Sequence, residues 1–193
     1  LLVHDALKDS GINVKFNFFI DAFDDLDKIP ADIKVPAGFE ENLGRFLHVV
    51  PSPVPEYDSW SDYFSSQVVG VMDKFGARPK VYSSYKEYKK GSYDNAIRIV
   101  LNNWKKVRDI WVKITKTAKP ADWIPVMPVC ENCGRAATTE AKEWDGEKLR
   151  YSCTHDRPYA QACGYEGHII PGRGNIKLPW RLHWPATWFT FRT

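Results

Sequence analysis

Apolar residues recur along this chain in two rhythms. The clearer has the helical step. Ile97, Val100, Leu101, Trp104, Val107, Trp111 and Ile114 fall three or four apart, which predicts one helix from Tyr93 to about Lys116. Leu1–Lys8 reads as the end of an amphipathic helix, stopped by Ser10-Gly11-Ile12-Asn13 with Gly11 in the closing position. The second rhythm is that of strands. Residues 14–20, Val-Lys-Phe-Asn-Phe-Phe-Ile, alternate and then turn wholly apolar, as a buried strand does. An acidic loop follows, with Asp21, Asp24, Asp25 and Asp27. A helix, a glycine turn, an apolar strand and then carboxylates form half of a doubly wound α/β unit, whose ligands bind at the carboxyl ends of the strands.

Five prolines, at 30, 36, 51, 53 and 55, mark an irregular excursion after this loop. Ser59 suits the cap of a helix from Trp60 to Lys74 that Gly76 closes. Lys80–Ser83 is a short strand, and residues 85–91 a helical turn ended by Gly91. Thr138–Trp144 and Lys148–Cys153 flank Asp145-Gly146, the dipeptide of a type I′ hairpin turn. Near the C-terminus Trp180, Trp184 and Trp188 are spaced by four, a pattern usual in cores. Arg181 and His183 interleave with them, which points to a pocket lined by aromatic planes and a cation.

Length and charge narrow the picture. The 193 residues suffice for one large domain, or one with an insert. No apolar run approaches the roughly 20 residues that span a bilayer, and no basic segment precedes an apolar one at the N-terminus. A cytoplasmic location is expected. The chain begins with Leu inside what reads as a helix, so it is expected to start within a larger protein. Residues 1–62 carry 5 Lys+Arg against 12 Asp+Glu, whereas the remainder carries 22 against 12. A basic second part suits a polyanion such as RNA, although a solvated helix face accounts for it equally. Lys105, Lys106 and Lys113 lie mostly off the apolar stripe, where they could meet phosphates.

All four cysteines fall in one stretch: Cys130, Cys133, Cys153 and Cys163. The first pair is a C-x-x-C knuckle followed by Gly134. A knuckle, a hairpin and two more cysteines have the organisation of a zinc ribbon, and four thiolates suit structural Zn²⁺. The second pair is separated by nine residues, so His155 or His168 could replace one cysteine. Two disulfides, or a redox pair, are the alternatives.

The segment Lys177-Leu178-Pro179-Trp180-Arg181, followed by Trp184-Pro185 and Trp188, resembles the K-L-P-W-R…W-P-x-R-W run of class I lysyl-tRNA synthetases. Ile20-Asp21-Ala22-Phe23-Asp24 with Lys28-Ile29-Pro30, Ser61-Asp62-Tyr63-Phe64, and Tyr88-Lys89-Lys90-Gly91-Ser92-Tyr93 resemble further family segments in the same order. So do the runs around Cys130 and Cys163. The resemblance implies a partial Rossmann-like catalytic domain of α/β class, over 1–127 and 171–193, with a zinc-ribbon-like module inserted at 128–170. It implies a parent enzyme that activates lysine with ATP and Mg²⁺ and transfers it to tRNA(Lys). By that match Trp180 would line the lysine pocket; from its place at the strand's C-terminal end Asp21 or Asp24 is expected near the substrate amine, and from the basic charge of the second part Lys105, Lys106, Lys113 and Arg135 are the expected tRNA contacts. The HIGH-type and KMSKS-type signatures that grip ATP are absent from these residues, so the chain alone is expected to be inactive. Ala22 stands where the family usually has aspartate and Thr187 where it has arginine. A synthetase-like zinc protein that binds RNA without catalysis, or a zinc-ribbon interaction protein, is the competing expectation.

Overall fold

A computed structural model describes residues 2–192, and its architecture is mixed α/β. Helix α1 (Leu2–Asp9) ends at Gly11, at φ +77°. Strand β1 (Asn17–Ile20) runs parallel to β2 (Lys80–Ser83), with Asn17 opposite Lys80 and Ile20 opposite Ser83. Parallel strands need a crossover. Here it passes through a 3₁₀ turn (Phe39–Asn42) and α2 (Trp60–Lys74). The strand expected from Val14 pairs only from Asn17, and its residues are half-buried rather than enclosed. Among the described residues β2 is its only strand partner. Phe19 packs on Tyr82, ring centres 4.7 Å apart, and on Phe191 at 5.1 Å.

The cap at Ser59 forms as expected: its Oγ accepts from the Asp62 amide at 3.2 Å. The proline-rich excursion is irregular yet packed, since Leu26, Phe39, Val50 and Trp60 make a small core of their own. Helix α3 (Ser84–Lys90) stops at Gly91, at φ +84°. The single helix expected over 93–116 is two, α4 (Asp94–Asn102) and α5 (Trp104–Thr115). Asn103 breaks the run at φ −122°, ψ 22°, and its side-chain amide donates to the Ile99 carbonyl at 2.9 Å. Asparagine side chains compete with the backbone in this way, and the apolar periodicity does not register it.

The cysteine region is a ribbon. Strands β4 (Thr139–Trp144), β5 (Leu149–Cys153) and β6 (Glu166–Ile169) form an antiparallel sheet. Outside it, β3 (Met127–Pro128) pairs with β7 (Ile176–Lys177). The hairpin lies where Asp145-Gly146 placed it, but its turn is not type I′. That form needs positive φ at both central residues, and only Gly146 has it, at +103°. Asp145 instead flanks the turn, its carboxylate accepting from the amides of Glu147 and Lys148.

In helix α6 (Trp180–Phe191) the tryptophans do not take the core role that spacing by four usually marks. Trp180, Trp184 and Trp188 are 60%, 36% and 58% exposed. The buried face is His183, Ala186 and Thr187, three and four apart. His183 therefore belongs to the core and not to a pocket beside Arg181. The Leu178 amide donates to the Tyr88 hydroxyl at 3.1 Å, and the same hydroxyl is hydrogen-bonded to His183 Nδ1, also at 3.1 Å. Thr187 donates to the His183 carbonyl and accepts from the Tyr93 hydroxyl. One continuous apolar cluster joins Tyr88, Tyr93, Ile97 and Leu101 to Cys130, Leu149, Tyr151 and Ile176.

Replacing Tyr88 by Phe keeps the ring but strands the Leu178 amide and His183 Nδ1. The expected loss is about 1–3 kcal/mol, read as a lower denaturant midpoint at unchanged slope.

Candidate functional site

The four cysteines are unpaired and lie together, with every Sγ within 4.8 Å of the others. The Cys130–Cys163 and Cys133–Cys153 separations are 3.6 and 3.8 Å. Neither is a disulfide distance. Four sulfurs at the usual Zn–S length of about 2.3 Å, arranged tetrahedrally, stand about 3.8 Å apart, so the donor set and spacing fit such an ion. His155 and His168 are not in the group.

Local geometry explains the unequal spacing. The first knuckle closes with the Gly134 amide donating to the Cys130 carbonyl and the Cys130 amide to the Arg135 carbonyl. The second is completed in space. Cys153 ends β5, and the Cys163-Gly164 turn returns to it, the Gly164 amide donating to the Cys153 carbonyl at 2.9 Å. Residues 154–162 loop out between them. Burial pushes the Cys130 thiol up to about 12 and raises that of Cys153 as well. A hydrogen bond with the Asn132 side chain pulls Cys163 down to about 6. A bound cation would favour the ionised form of all four.

The carboxylates at the end of β1 occupy different settings. Asp21 accepts from the Ser84 hydroxyl at 3.0 Å, and that hydroxyl accepts from the Phe23 amide, fixing the loop. Asp24 is ion-paired with Lys177, a lysine only 5% exposed. Asp21 and Asp24 line a cavity of about 350 Å³ with Phe19, Trp60, Phe64 and Val68 among its walls. Trp180 does not line it. Trp180 faces a separate groove of about 470 Å³, mostly apolar, between α5 and α6. Its ring lies 5.2 Å from the Arg181 guanidinium. Ala22 and Thr187 are both buried, so neither presents its side chain to an opening.

Lys105, Lys106 and Lys113 are exposed on α5. Arg135 differs, because it is half-buried and its Nε is enclosed without a partner. It lies beside Gly44, at φ +75°, where an added Cβ would collide with Ala160 of the 154–162 loop.

Lys177 and Asp25 were not singled out by sequence pattern. Lys177 sat in the K-L-P-W-R run, and only its partner reveals a role. Asp25 was one of several loop acids. Burial, aided by Asp24 and Asp21 and opposed by Lys177 and Arg157, pushes its carboxyl up from 3.8 to about 6. One of its oxygens has no hydrogen-bond partner.

A raised carboxyl favours the protonated folded state. Asp25 thus contributes stability that is present below about pH 4 and lost as pH rises through 6. Asp25→Asn should stabilise the protein at pH 8 relative to its effect at pH 4, by up to about 3 kcal/mol at 1.36 kcal/mol per unit. Denaturant titrations of both proteins at the two pH values check this.

The family profile described as tRNA synthetases class I (K) matches residues 1–193. The lysine–tRNA ligase of Methanocaldococcus jannaschii is 34% identical over 191 residues, which are 98% of this chain and 34% of that protein. Those of Picrophilus torridus and Pyrococcus horikoshii are 32% and 31% identical, each over 98% of this chain and 35% of their own length. The chain spans about a third of the length of these relatives. With the profile matched end to end, and the four-cysteine ribbon and K-L-P-W-R helix start both in place, the chain belongs to the class I lysyl-tRNA synthetase family.

Proposed function

We propose that this chain is the part of a cytoplasmic lysine–tRNA ligase that holds the amino acid and carries a structural zinc. The parent would activate lysine with ATP and Mg²⁺ and charge tRNA(Lys). The observation that carries this reading is family membership over the whole chain. Physical support comes from the cavity at the end of β1, where carboxylates meet aromatic and aliphatic walls. A lysine side chain needs both, a counter-charge for the ammonium and apolar cover for its methylenes.

Asp21 suits the substrate amine better than Asp24. Asp24 is already paired with Lys177, whereas Asp21 accepts only from one neutral hydroxyl and keeps acceptor capacity. Trp180, three residues beyond Lys177 and largely exposed, faces the separate α5–α6 groove in this chain, so its proposed contact with the substrate requires the lysine to extend out of the Asp21 cavity toward that groove. The parallel β1–β2 pair with its α2 crossover is proposed as a portion of a Rossmann-like sheet, and 128–170 as an insertion into it, between 1–127 and 171–193. The exposed lysines of α5 are proposed as phosphate contacts, with Arg135 the weakest of the four. No helix among the described residues is long and apolar enough to cross a membrane.

Zinc would be held by Cys130, Cys133, Cys153 and Cys163. When bound it supplies cross-linking rather than Lewis-acid chemistry, because four thiolates leave no position for water. Metal analysis of the purified protein should give about one zinc per chain. Cys130→Ser should lose the metal and loosen the ribbon, seen as faster amide exchange over 128–170. A fully thiol-reduced, metal-free protein with unchanged exchange protection would sink the assignment.

In the intact parent, Asp21→Asn and Trp180→Ala should each raise the lysine KM, the latter about 5- to 150-fold for 1–3 kcal/mol of lost contact. The ATP KM should move far less. Lysine-dependent ATP–pyrophosphate exchange reads both. Equal damage to both substrates would mark Trp180 as a support of the fold. Absence of exchange in the unaltered parent, with RNA binding retained, would favour a non-catalytic RNA-binding role.

A further inference from the structure

A second cavity of about 350 Å³ lies on the other side of the loop that carries Asp21 and Asp24. Neighbouring residues of the same two segments serve the two spaces. Asp21, Asp24 and Leu47 face the first, whereas Phe23, Phe46 and His48 face the second. The first cysteine knuckle, through Cys133 and Gly134, forms part of the second cavity's wall.

Two cations line this space, Arg45 and Lys89, and no aspartate or glutamate does. Both are exposed, and among the described residues neither has a carboxylate within ion-pairing distance. The one side-chain hydrogen bond of Arg45 is a long one, 3.4 Å to Asn42. The cavity also holds a pair of planar rings. His48 and Tyr85 stack with centres 3.4 Å apart and planes within 16°. The Ala22 carbonyl accepts from His48 Nδ1 at 3.2 Å, which leaves Nε2 open. Lys89 Nζ stands 5.9 Å from the Tyr85 ring centre. Gly174 backs this lysine closely, with Lys89 Cδ only 3.2 Å from where a Cβ would sit.

Uncompensated cations suit an anion, and paired aromatic planes suit another plane. An acidic peptide would use the first feature and waste the second. An apolar ligand would do the reverse. We propose that this cavity binds a nucleotide, with its phosphate between Arg45 and Lys89 and its base against the His48–Tyr85 pair. The inference rests on the ligase reading for its source: an unpaired nucleotide of the tRNA, with free ATP the other supplier of the same chemistry. Base stacking and phosphate neutralisation are the two contributions by which proteins hold single-stranded nucleic acid.

The test uses the intact zinc-loaded protein, the double variant Arg45→Gln/Lys89→Gln, and Tyr85→Leu as a second probe of the base. Binding of tRNA and of a short single-stranded RNA is titrated across salt concentrations, and ATP and lysine KM values are read from pyrophosphate exchange. The double variant should weaken RNA binding about tenfold or more and flatten its salt slope by about 0.7, the value for the one single-strand phosphate held between the two cations. Tyr85→Leu should weaken binding without changing that slope. Unchanged exchange kinetics then place the nucleotide in the RNA. A rise in the ATP KM with RNA binding intact keeps the site and assigns it to free ATP. If both RNA binding and the ATP KM are unaltered in variants that retain exchange, the site is overturned while the ligase reading stands. If the unaltered protein shows no exchange, that reading fails, and direct titration of RNA and ATP against the double variant still decides the site.

Discussion

Tyr88 carries its hydroxyl into a place that water does not reach, 1% exposed. A group so placed must find partners inside the protein. It finds the amide of Leu178 and the imidazole of His183, 90 and 95 residues later. Those two bonds join α3 to the strand and helix that return from the ribbon. The Tyr93 hydroxyl repeats the device on Thr187, one turn further along α6. Because α6 is pinned by polar contacts on its inner face, its tryptophans are left outward. The neutral state of His183 follows from the same setting, since burial holds its pKa below the ordinary imidazole range. A charged imidazole there would have no counter-charge in contact.

The ribbon is tied to the rest by two unlike joints. One is apolar: Leu149, Tyr151 and Ile169 belong to the same cluster as Ile97 and Leu101. The other is ionic, Lys177 of β7 on Asp24 of the acidic loop. A lysine this enclosed is tolerated only with a partner. The loop that ends β1 therefore takes part of its electrostatic setting from the far side of the cysteine module. Asp25 shows the opposite outcome, a carboxyl carried inward with one oxygen enclosed and unmatched.

Much of this was readable from residue order, for physical reasons that differ by element. Ser59, Gly76 and Gly91 act within a turn of themselves, so the limits of α2 and α3 followed from local chemistry. The four-cysteine cluster was legible because the C-x-x-C spacing is a local signature of a metal-binding knuckle. The second knuckle was not, because its two halves meet only when β5 and the Cys163-Gly164 turn come together in space. The break at Asn103 was hidden by an apolar stripe that runs through it unchanged. The Trp180, Trp184 and Trp188 spacing showed that one helix face is apolar, but not whether that face turns inward. His183, read as a pocket group, is fixed by a tyrosine far away in sequence. The pairing of Lys177 with Asp24 depends on the returning strand, and the placing of Arg45 and Lys89 around one cavity depends on two segments far apart in sequence, so neither leaves a local trace.

Gly44 and Ala160 touch where the loop between the second pair of cysteines meets the segment that follows the acidic loop. Two separate demands fall on Gly44, a left-handed backbone and a missing side chain. The positions are consequently not free to drift one at a time. Any bulk at 160 must be absorbed by backbone at 44, which has no side chain to rearrange. At this point the shape of the 154–162 loop is copied onto the neighbouring segment. An insertion near Ala160 would register first on Gly44 and, through it, on the adjoining Arg45.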